Sequence, residues 1–434
     1  MTKNGWHRII DLIYRLFRKE ENVSILIENG LVLDPASGES QVRSVYAENG
    51  VIQAPPQELP PGTQRIDAKG LWVTPGLIDL HVHLRDPGLT HKETIETGSM
   101  AAAAGGFTTI CAMPNTKPVT DTAEVVRYVT EQGEKAGYVH VLPIGAITVG
   151  QQGEALTDFK SLQTAGACAI SEDGKSVADA ALMEEAMQQA KALNLPILDH
   201  CEDAALAAAG LSREAENQMT AREIDLAERT GAKFHICHVS TRESAELVRQ
   251  ARAKGLPVTA EVCPHHFALD ESELVKGDSN YKMNPPLRGK EDVEAMKQAL
   301  ADGVITCIAT DHAPHAEYEK GPMDKAANGI IGLETAVSLG ITELVKPGVL
   351  TPLGLIACMS YHPAKVLGIE KGTLQVGAAA DITLIDPEAE YVVDVQKFHS
   401  KSKNAPYGGM HLSGRPVMTI VDGRITYKME EDND

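Results

Sequence analysis

The sequence lacks several patterns that mark common functional classes. It contains no Cys-x-x-Cys pair, and its seven cysteines are irregularly spaced, which argues against a disulfide framework and a cysteine-based zinc site. No Gly-x-Gly-x-x-Gly follows a predicted strand and no P-loop occurs, so a nucleotide-binding sheet is disfavoured. No run reaches about 18 apolar residues, so we expect no transmembrane segment. Because the cysteine pattern fits a reducing compartment, we expect a cytoplasmic protein.

Positive charge is also scarce. The 40 lysines and arginines are outnumbered by 60 aspartates and glutamates, which gives a formal net charge of −20. Nucleic acid and anionic membranes are therefore disfavoured as general partners. An anionic small-molecule substrate would need a local positive pocket within this acidic protein.

Residues 1–21 form a predicted N-terminal amphipathic extension. Its apolar helical face carries Trp6, Ile9, Ile10, Ile13 and Phe17. Charges interrupt any apolar run and no small-residue cleavage site follows, so we expect no signal peptide. We predict a helix docked on this protein or on a partner subunit, with anchoring to a membrane surface as the alternative.

Both ends of the remaining chain have the patterns of short strands. Residues 22–72 contain an Asn-Gly hairpin signal at 46–52, and residues 372–428 contain an Asp-Gly hairpin signal at 417–426. Isolated hairpins are only marginally stable. We therefore predict that the two ends pair into one small β domain, a β-sandwich.

Residues 73–371 alternate between short apolar runs and segments of helical period. The eight predicted strands are 73–80, 107–112, 139–147, 167–171, 196–200, 234–239, 257–262 and 305–310. Strands that alternate with helices indicate parallel βα units, and eight units make a closed barrel. We predict an α/β fold, a (β/α)8 TIM barrel that carries a metal-dependent hydrolase site, with a doubly wound open sheet as the alternative.

The most informative segment is Asp79-Leu80-His81-Val82-His83-Leu84-Arg85. It follows a predicted buried strand, in which alternate side chains share a face, so His81 and His83 point the same way and could hold one metal ion. Arg85 would place a positive group beside them. This combination suggests a metal-activated water that faces an anionic substrate, although a His-x-His motif alone is weak evidence.

Further ligand-type residues follow other predicted strands, where the active site of a barrel lies. They are Asn115, Ser171-Glu172-Asp173, Asp199-His200, His238, Asp311-His312 and His315. Four histidines with two carboxylates suit Zn²⁺, and also Mn²⁺, Co²⁺ or Fe²⁺, and the ligand types favour zinc. By position alone, His265 and His266 fit a structural role as well as a ligand role.

Longer motifs resemble those of dihydroorotases in the amidohydrolase superfamily, over about residues 24–425. The first signature is Asp79-Leu80-His81-Val82-His83-Leu84-Arg85-Asp86-Pro87-Gly88, and the second is Ala309-Thr310-Asp311-His312-Ala313-Pro314-His315 with Lys320. Between them, in the family's order, come Met113-Pro114-Asn115-Thr116, Ser171-Glu172-Asp173-Gly174, Asp199-His200-Cys201-Glu202, His238-Val239-Ser240-Thr241 and Lys282-Met283-Asn284-Pro285-Pro286-Leu287-Arg288.

The resemblance implies a barrel with a small β domain built from both chain ends. It also implies the reversible cyclisation of N-carbamoyl-L-aspartate to L-dihydroorotate plus water, the third step of de novo pyrimidine biosynthesis. The chemistry implied is attack by metal-activated hydroxide, with one or two Zn²⁺ per chain and with Asp311 as the catalytic proton shuttle. His265 and His266 match no ligand position of the family.

The resemblance further implies a role for each site residue. The implied metal ligands are His81 and His83 for one ion, His200 and His238 for a second if there is one, Asp173 as the bridge, and Asp311. The implied substrate-binding residues are His83, Arg85, Asn115, Asn284, His315 and, through its backbone, Gly329. We expect a small-molecule substrate, a homo-oligomer, and aspartate transcarbamoylase as a candidate partner.

The chain departs from much of the superfamily at one position. Many relatives bridge their metals with a carboxylated lysine, whereas 169–174 contains no lysine. This resembles bacterial type I dihydroorotases and differs from typical hydantoinases and allantoinases. The alternatives are another cyclic-amide hydrolase of those two kinds, or a non-catalytic subunit bound to aspartate transcarbamoylase. We expect 316–330 to be the lid, if one exists, because Gly321-Pro322 and Asn328-Gly329 resemble hinges.

Overall fold

Strands alternate with helices through the middle of the chain in the computed structural model, which describes residues 24–430. The predicted extension at residues 1–21 therefore lies outside the described residues. The strands are β1 (Ser24–Glu28), β2 (Leu31–Asp34), β3 (Glu39–Val42), β4 (Val45–Glu48), β5 (Val51–Gln53), β6 (Gln64–Asp67), β7 (Trp72–Pro75), β8 (Leu77–Val82), β9 (Phe107–Ala112), β10 (His140–Ala146), β11 (Ala169–Ser171), β12 (Ile197–Asp199), β13 (Phe234–Ile236), β14 (Val258–Val262), β15 (Cys307–Ile308), β16 (Ile382–Val392), β17 (His411–Val421) and β18 (Arg424–Lys428).

The helices lie mostly between the barrel strands. They are α1 (Ile95–Ala104), α2 (Ala123–Ala136), α3 (Phe159–Ala165), α4 (Ala180–Ala192), α5 (Ala204–Ala208), α6 (Ser212–Thr230), α7 (Arg242–Ala253), α8 (Pro264–Ala268), α9 (Lys290–Ala301), α10 (Ala336–Gly340), α11 (Pro352–Ile356) and α12 (His362–Leu367). Their ends follow local chemistry: the Thr122 hydroxyl caps the start of α2, and Gly137 ends it at φ 72°. Within residues 24–430, no helix is both long enough and apolar enough to cross a bilayer.

Strands β8 to β15 form the barrel. They are parallel and lie in chain order around the sheet, and the first and last segments meet where Val82 pairs with His312. The backbone N–H of His83 donates to the His312 carbonyl across this seam at 2.8 Å. The predicted (β/α)8 barrel is confirmed, and the open-sheet alternative is wrong.

The small β domain contains strands from both ends of the described chain. One sheet has the order β5-β4-β1-β6, and the other has the order β18-β17-β16-β7-β2-β3. In the second sheet β7 pairs with β16 from the C-terminal part and with β2 from the N-terminal part. The predicted pairing of the two ends is therefore confirmed.

The predicted strand 73–80 is in fact two strands. Residues Trp72–Pro75 belong to the small sheet, and the barrel strand begins at Leu77, so the expectation of one strand is wrong. The boundary predicted between 72 and 73 thus falls inside β7. Gly76 lies at the crossing, where a Cβ atom would come within 2.1 Å of the Thr108 hydroxyl oxygen. Close approach of the next barrel strand therefore requires glycine at this position.

Candidate active site

The carboxyl ends of the barrel strands bring all six predicted metal ligands together. These residues are His81 in β8, His83 after it, Asp173 after β11, His200 after β12, His238 after β13 and Asp311 after β15. Each is at most 8% exposed. We call this group the six-residue cluster. Its location fits the rule that barrel sites form at the carboxyl ends of strands.

Two carboxylates face the first pair of histidines. The Nε2 atom of His81 lies 3.2 Å from Asp173 Oδ1 and 3.5 Å from Asp311 Oδ1. The Nε2 atom of His83 lies 3.3 Å from Asp173 Oδ2 and 3.1 Å from Asp311 Oδ1. Tetrahedral ligand atoms at zinc-bond length lie roughly 3.3 Å apart, so these spacings suit the ligands of one ion.

The second pair of histidines adjoins the same aspartate. His200 Nδ1 lies 2.8 Å from His238 Nε2, and each of these nitrogens lies 3.9 Å from Asp173 Oδ1. Asp173 is therefore the residue of the cluster that reaches both histidine pairs. That is the position a bridging ligand requires.

The cluster fits a metal ion by its chemistry as well as its spacing. His81 Nε2 is fully buried and has no hydrogen-bond partner among the described residues. A buried polar atom without a partner is costly, and a metal ion would satisfy it. Four imidazoles and two carboxylates form a donor set that zinc and similar divalent ions accept.

Charge within the cluster keeps Asp311 ionised. Burial raises the pKa of this carboxyl, but the nearby imidazoles of His81 and His83 outweigh burial and hold the pKa below its usual range. Asp173 shows the same balance, with a pKa held well below the usual range chiefly by His81. Both side chains are thus anions at neutral pH.

Glu261 orients His81 and is not among the predicted site residues. One of its oxygens lies 3.0 Å from His81 Nδ1 and the other lies 3.0 Å from His235 Nε2. Burial raises the pKa of Glu261, but these two histidines lower it to about 2. A carboxylate on the far nitrogen fixes the ring and leaves Nε2 aimed at the metal position. A buried Glu inside the apolar strand β14 is the signal that could have identified it.

Asp79 ties the two sides of the barrel seam together. Its Oδ1 accepts the backbone N–H groups of His81 at 3.0 Å and of Thr310 at 3.2 Å. The side chain is fully buried, and burial raises its pKa to about 7. This carboxyl therefore fixes the backbone beside two of the candidate ligands, His81 and Asp311.

Three site residues adopt a backbone conformation that residues other than glycine seldom use. The φ angles are 60° at Arg85, 38° at His238 and 48° at Asp311. Such conformations are costly and concentrate at functional sites. These angles support the site independently of the side-chain distances.

Two further predicted site residues lie beside the cluster: Arg85, which is positively charged, and His315, which is neutral. Arg85 is 8% exposed, and its Nε donates to the Pro314 carbonyl at 3.1 Å. His315 Nε2 donates to the Asn328 carbonyl at 2.8 Å. Burial, followed by the charges of Arg85 and Lys92, lowers the pKa of His315 to about 3, so this imidazole is neutral at pH 7. Arg85 therefore places one buried positive charge beside the cluster.

The two asparagines contact the cluster from different sides. Asn115 Oδ1 lies 2.9 Å from His83 Nδ1, so the amide accepts from that ring. Asn284 Nδ2 donates to Glu202 at 2.9 Å and lies 3.3 Å from His200 Nε2. Both asparagines are only partly buried, whereas the histidines they contact are buried.

Gly329 lies near the site, but its backbone groups are already bonded within the protein. Its N–H donates to the Lys282 carbonyl at 2.9 Å. Its carbonyl accepts from Lys320 Nζ at 3.0 Å and from Asn404 Nδ2 at 3.1 Å. The structure therefore shows Gly329 as a fixed part of the wall, and substrate contact through its backbone stays a prediction.

Comparisons with known proteins point to one family. A family model described as dihydro-orotase-like matches residues 70–244. The chain is 46% identical to the dihydroorotase of Geobacter metallireducens over 424 residues, which cover 94% of this chain and all of that protein. It is 48% identical to the dihydroorotase of Pelotomaculum thermopropionicum over 420 residues, with 93% and 98% of the two chains covered.

Solved structures with the same fold include two hydantoinases. The L-hydantoinase (dihydropyrimidinase) of Arthrobacter aurescens matches with a TM-score of 0.84 at 26% identity, covering 94% of this chain and 96% of that one. The D-hydantoinase (dihydropyrimidinase) of a Thermus species matches with a TM-score of 0.82 at 28% identity, covering 94% and 97%.

Proposed function

The chain belongs to the dihydroorotase family, a family of cyclic-amide hydrolases, and we propose that the six-residue cluster is the active site in which it carries out the family's reaction. That reaction is the reversible cyclisation of N-carbamoyl-L-aspartate to L-dihydroorotate plus water, within pyrimidine biosynthesis. The single observation that carries the proposal is the convergence of four imidazoles and two carboxylates at the barrel mouth.

We propose zinc as the metal, with one or two ions per chain. His81, His83 and Asp311 would hold one ion, and His200 and His238 would hold a second, with Asp173 between them. When bound, such an ion lowers the pKa of a water molecule towards about 7 and polarises an amide carbonyl. The oxygen and nitrogen donors and the unpartnered His81 Nε2 support this assignment.

Asp311 is the proposed proton carrier. In the hydrolytic direction its carboxylate accepts a proton from the attacking water, whose oxygen bonds to the ring carbonyl carbon. When the carbon–nitrogen bond breaks, Asp311 returns the proton to the ring nitrogen. Asp311 is ionised at neutral pH, as a proton acceptor must be, and its Oδ1 lies 3.1 Å from His83 Nε2 within the cluster.

Other side chains would bind and orient the substrate. Arg85 would pair with the substrate carboxylate through two N–H groups, a contact that suits a planar guanidinium. Asn115 and Asn284 would hold the ring by neutral hydrogen bonds, and the neutral His315 would add another. The burial of Arg85 in an acidic protein supports its role as the positive group that meets the substrate carboxylate.

The decisive experiment is dihydroorotate hydrolysis by the purified chain, measured as loss of ultraviolet absorbance of the ring amide, with metal content determined on the same sample. We expect turnover together with one or two zinc ions per chain. Hydantoin and allantoin serve as control substrates. Turnover of either control without turnover of dihydroorotate would assign a different cyclic amide. Bound zinc with no turnover would point to another cyclic amide or to a missing partner subunit. Neither zinc nor turnover, even after zinc is added back, would favour the non-catalytic alternative.

We also propose that the protein works in a reducing compartment, the cytoplasm. All seven cysteines lie within residues 24–430 and all are free thiols there. A homo-oligomer and an aspartate transcarbamoylase partner remain predictions, to be checked by light scattering of the chain alone and of its mixture with that enzyme.

A further inference from the structure

A second group of metal-type ligands lies beside the six-residue cluster. Cys263 directly follows β14, and His265 and His266 lie in the first turn of α8. One ligand atom from each lies within 4.8 Å of the others, and each residue is at most 3% exposed. None of the three belongs to the proposed catalytic cluster.

His266 has the arrangement of a metal ligand rather than that of a packed ring. Its Nε2 donates to the Pro285 carbonyl at 3.1 Å. Its Nδ1 is buried and has no hydrogen-bond partner within the described part of the chain. A backbone carbonyl on one ring nitrogen fixes the tautomer and leaves a lone pair on the other. Packing alone explains the burial but leaves that lone pair unsatisfied.

Both imidazoles are in the form that binds metals. Burial lowers the pKa of His265 to about 4 and holds that of His266 well below its usual range, so both rings are neutral at pH 7. Burial also raises the pKa of the Cys263 thiol well above its usual range. Metal binding must therefore expel the thiol proton to solvent as the metal–sulfur bond forms, which makes binding tighter at higher pH.

We propose that Cys263, His265 and His266 form a thiolate–imidazole site for a zinc-class ion, separate from the six-residue cluster. The sulfur ligand favours Zn²⁺ or Co²⁺ over Mg²⁺ or Mn²⁺. Three protein ligands leave one position for a water molecule or a fourth group. The ion would brace α8 against the segment at Pro285, next to the proposed substrate residue Asn284.

Cobalt spectroscopy separates the two sites once Cys237 is controlled for, because the six-residue cluster itself offers only nitrogen and oxygen, and Cys237 is the thiol that lies within ligand distance of His81 and Glu261. Metal-free full-length protein is loaded with excess Co²⁺, and the near-ultraviolet thiolate-to-cobalt absorption and the cobalt bound per chain are measured. We expect the absorption in the wild type. In C263S it should vanish, and bound cobalt should fall by one equivalent.

Three further variants complete the test. C237S removes the buried thiol beside His81 and Glu261 and should keep the full absorption. C358S should keep it too, because it removes a buried thiol outside any such group of ligands among residues 24–430. H266Q should lose most of the thiolate-to-cobalt absorption. If C263S does not fold, H266Q provides the test in its place. Absence of the absorption in the cobalt-loaded wild type would overturn the proposal, as would an absorption that survives C263S or H266Q. Neither the absorption nor the cobalt content depends on dihydroorotate turnover. Failure of the proposed function would therefore be distinguishable from failure of this proposal.

Discussion

At the scale of single residues, strand parity and strand ends predict that polar side chains gather at one barrel mouth, and the resemblance to dihydroorotases selects the six-residue cluster from them. His81 and His83 share a face because they are two positions apart at the end of a strand. The orienting contacts were not predictable in this way. His81 and Glu261 are 180 positions apart, and their contact depends on the curvature of the closed sheet. Local patterns contain no information about such a distance.

Replacing Asp311 should remove the proton carrier. We expect Asp311→Asn to lose turnover by roughly 10²–10⁴-fold, the usual contribution of a general acid–base group. Circular dichroism and metal analysis should show an intact fold and bound zinc. Activity above a few per cent of wild type in a metal-replete sample would exclude the shuttle role.

Replacing Arg85 tests the carboxylate contact. Arg85→Lys keeps the charge but loses the two-point geometry, so we expect KM for dihydroorotate to rise while kcat changes less. Steady-state kinetics measures both. An unchanged KM would mean that the guanidinium does not bind the substrate carboxylate.

Glu261 should act through His81. We expect Glu261→Gln to weaken zinc binding or activity by about 10–100-fold, the usual effect of removing an orienting carboxylate. Competition with a chelator measures the affinity. Thr259→Val is the matched control. Thr259 is hydrogen-bonded to His235 Nδ1, the ring nitrogen that does not contact Glu261. Equal zinc affinity in Glu261→Gln and wild type would refute the orienting role.

At the scale of elements, the sequence predicts the order of strands and helices well but not every strand boundary. The run 71–78 is apolar on both sides of Pro75-Gly76, and this pair is the local mark of the change of sheet that the expectation of one strand passed over. What changes there is the pairing partner, from β2 and β16 to β9. Which strands pair depends on the tertiary fold, and the spacing of apolar residues along the sequence does not reveal it.

Lys320, within the predicted lid segment 316–330, is hydrogen-bonded to backbone carbonyls of that segment and of Lys282 beside Asn284. Its ammonium group donates to the carbonyls of Lys282, Ala327 and Gly329 at 3.0–3.1 Å. We expect Lys320→Met to raise KM several-fold and to speed amide hydrogen exchange at 327–330. Lys325→Met, at an exposed lysine of the same segment, is the control. Unchanged exchange at 327–330 would mean that Lys320 does not hold this segment.

At the scale of the whole molecule, an ionic contact joins the barrel to the small domain. His140 begins β10, and its Nε2 lies 3.5 Å from Asp381 and 3.6 Å from Asp422. Burial lowers the pKa of His140, but the two carboxylates outweigh burial and raise it to about 9. Asp381 is correspondingly lowered to about 2, against burial, by His140 and Lys371. The pairing of the chain ends was predictable, but this contact was not.

This contact should make stability depend on pH. The pKa of His140 is raised on folding, so its contribution is complete below about pH 6.5 and is lost as pH rises through 9. We expect His140→Gln to cost about 1–3 kcal/mol at pH 6, reduced by solvent screening, and little at pH 10. Urea unfolding at both pH values measures this, with His411→Gln as a surface control. An equal cost at both pH values would exclude the ionic contribution.

The seam held by Asp79 has a consequence for synthesis of the protein. The bond from Asp79 to the Thr310 backbone joins positions 231 residues apart, and ligands of the cluster lie on both sides of it. The proposed set of six ligands is therefore incomplete on the ribosome until the last barrel strand has emerged and the barrel has closed. A metal ion that binds only the closed ring would stabilise the closed ring by mass action.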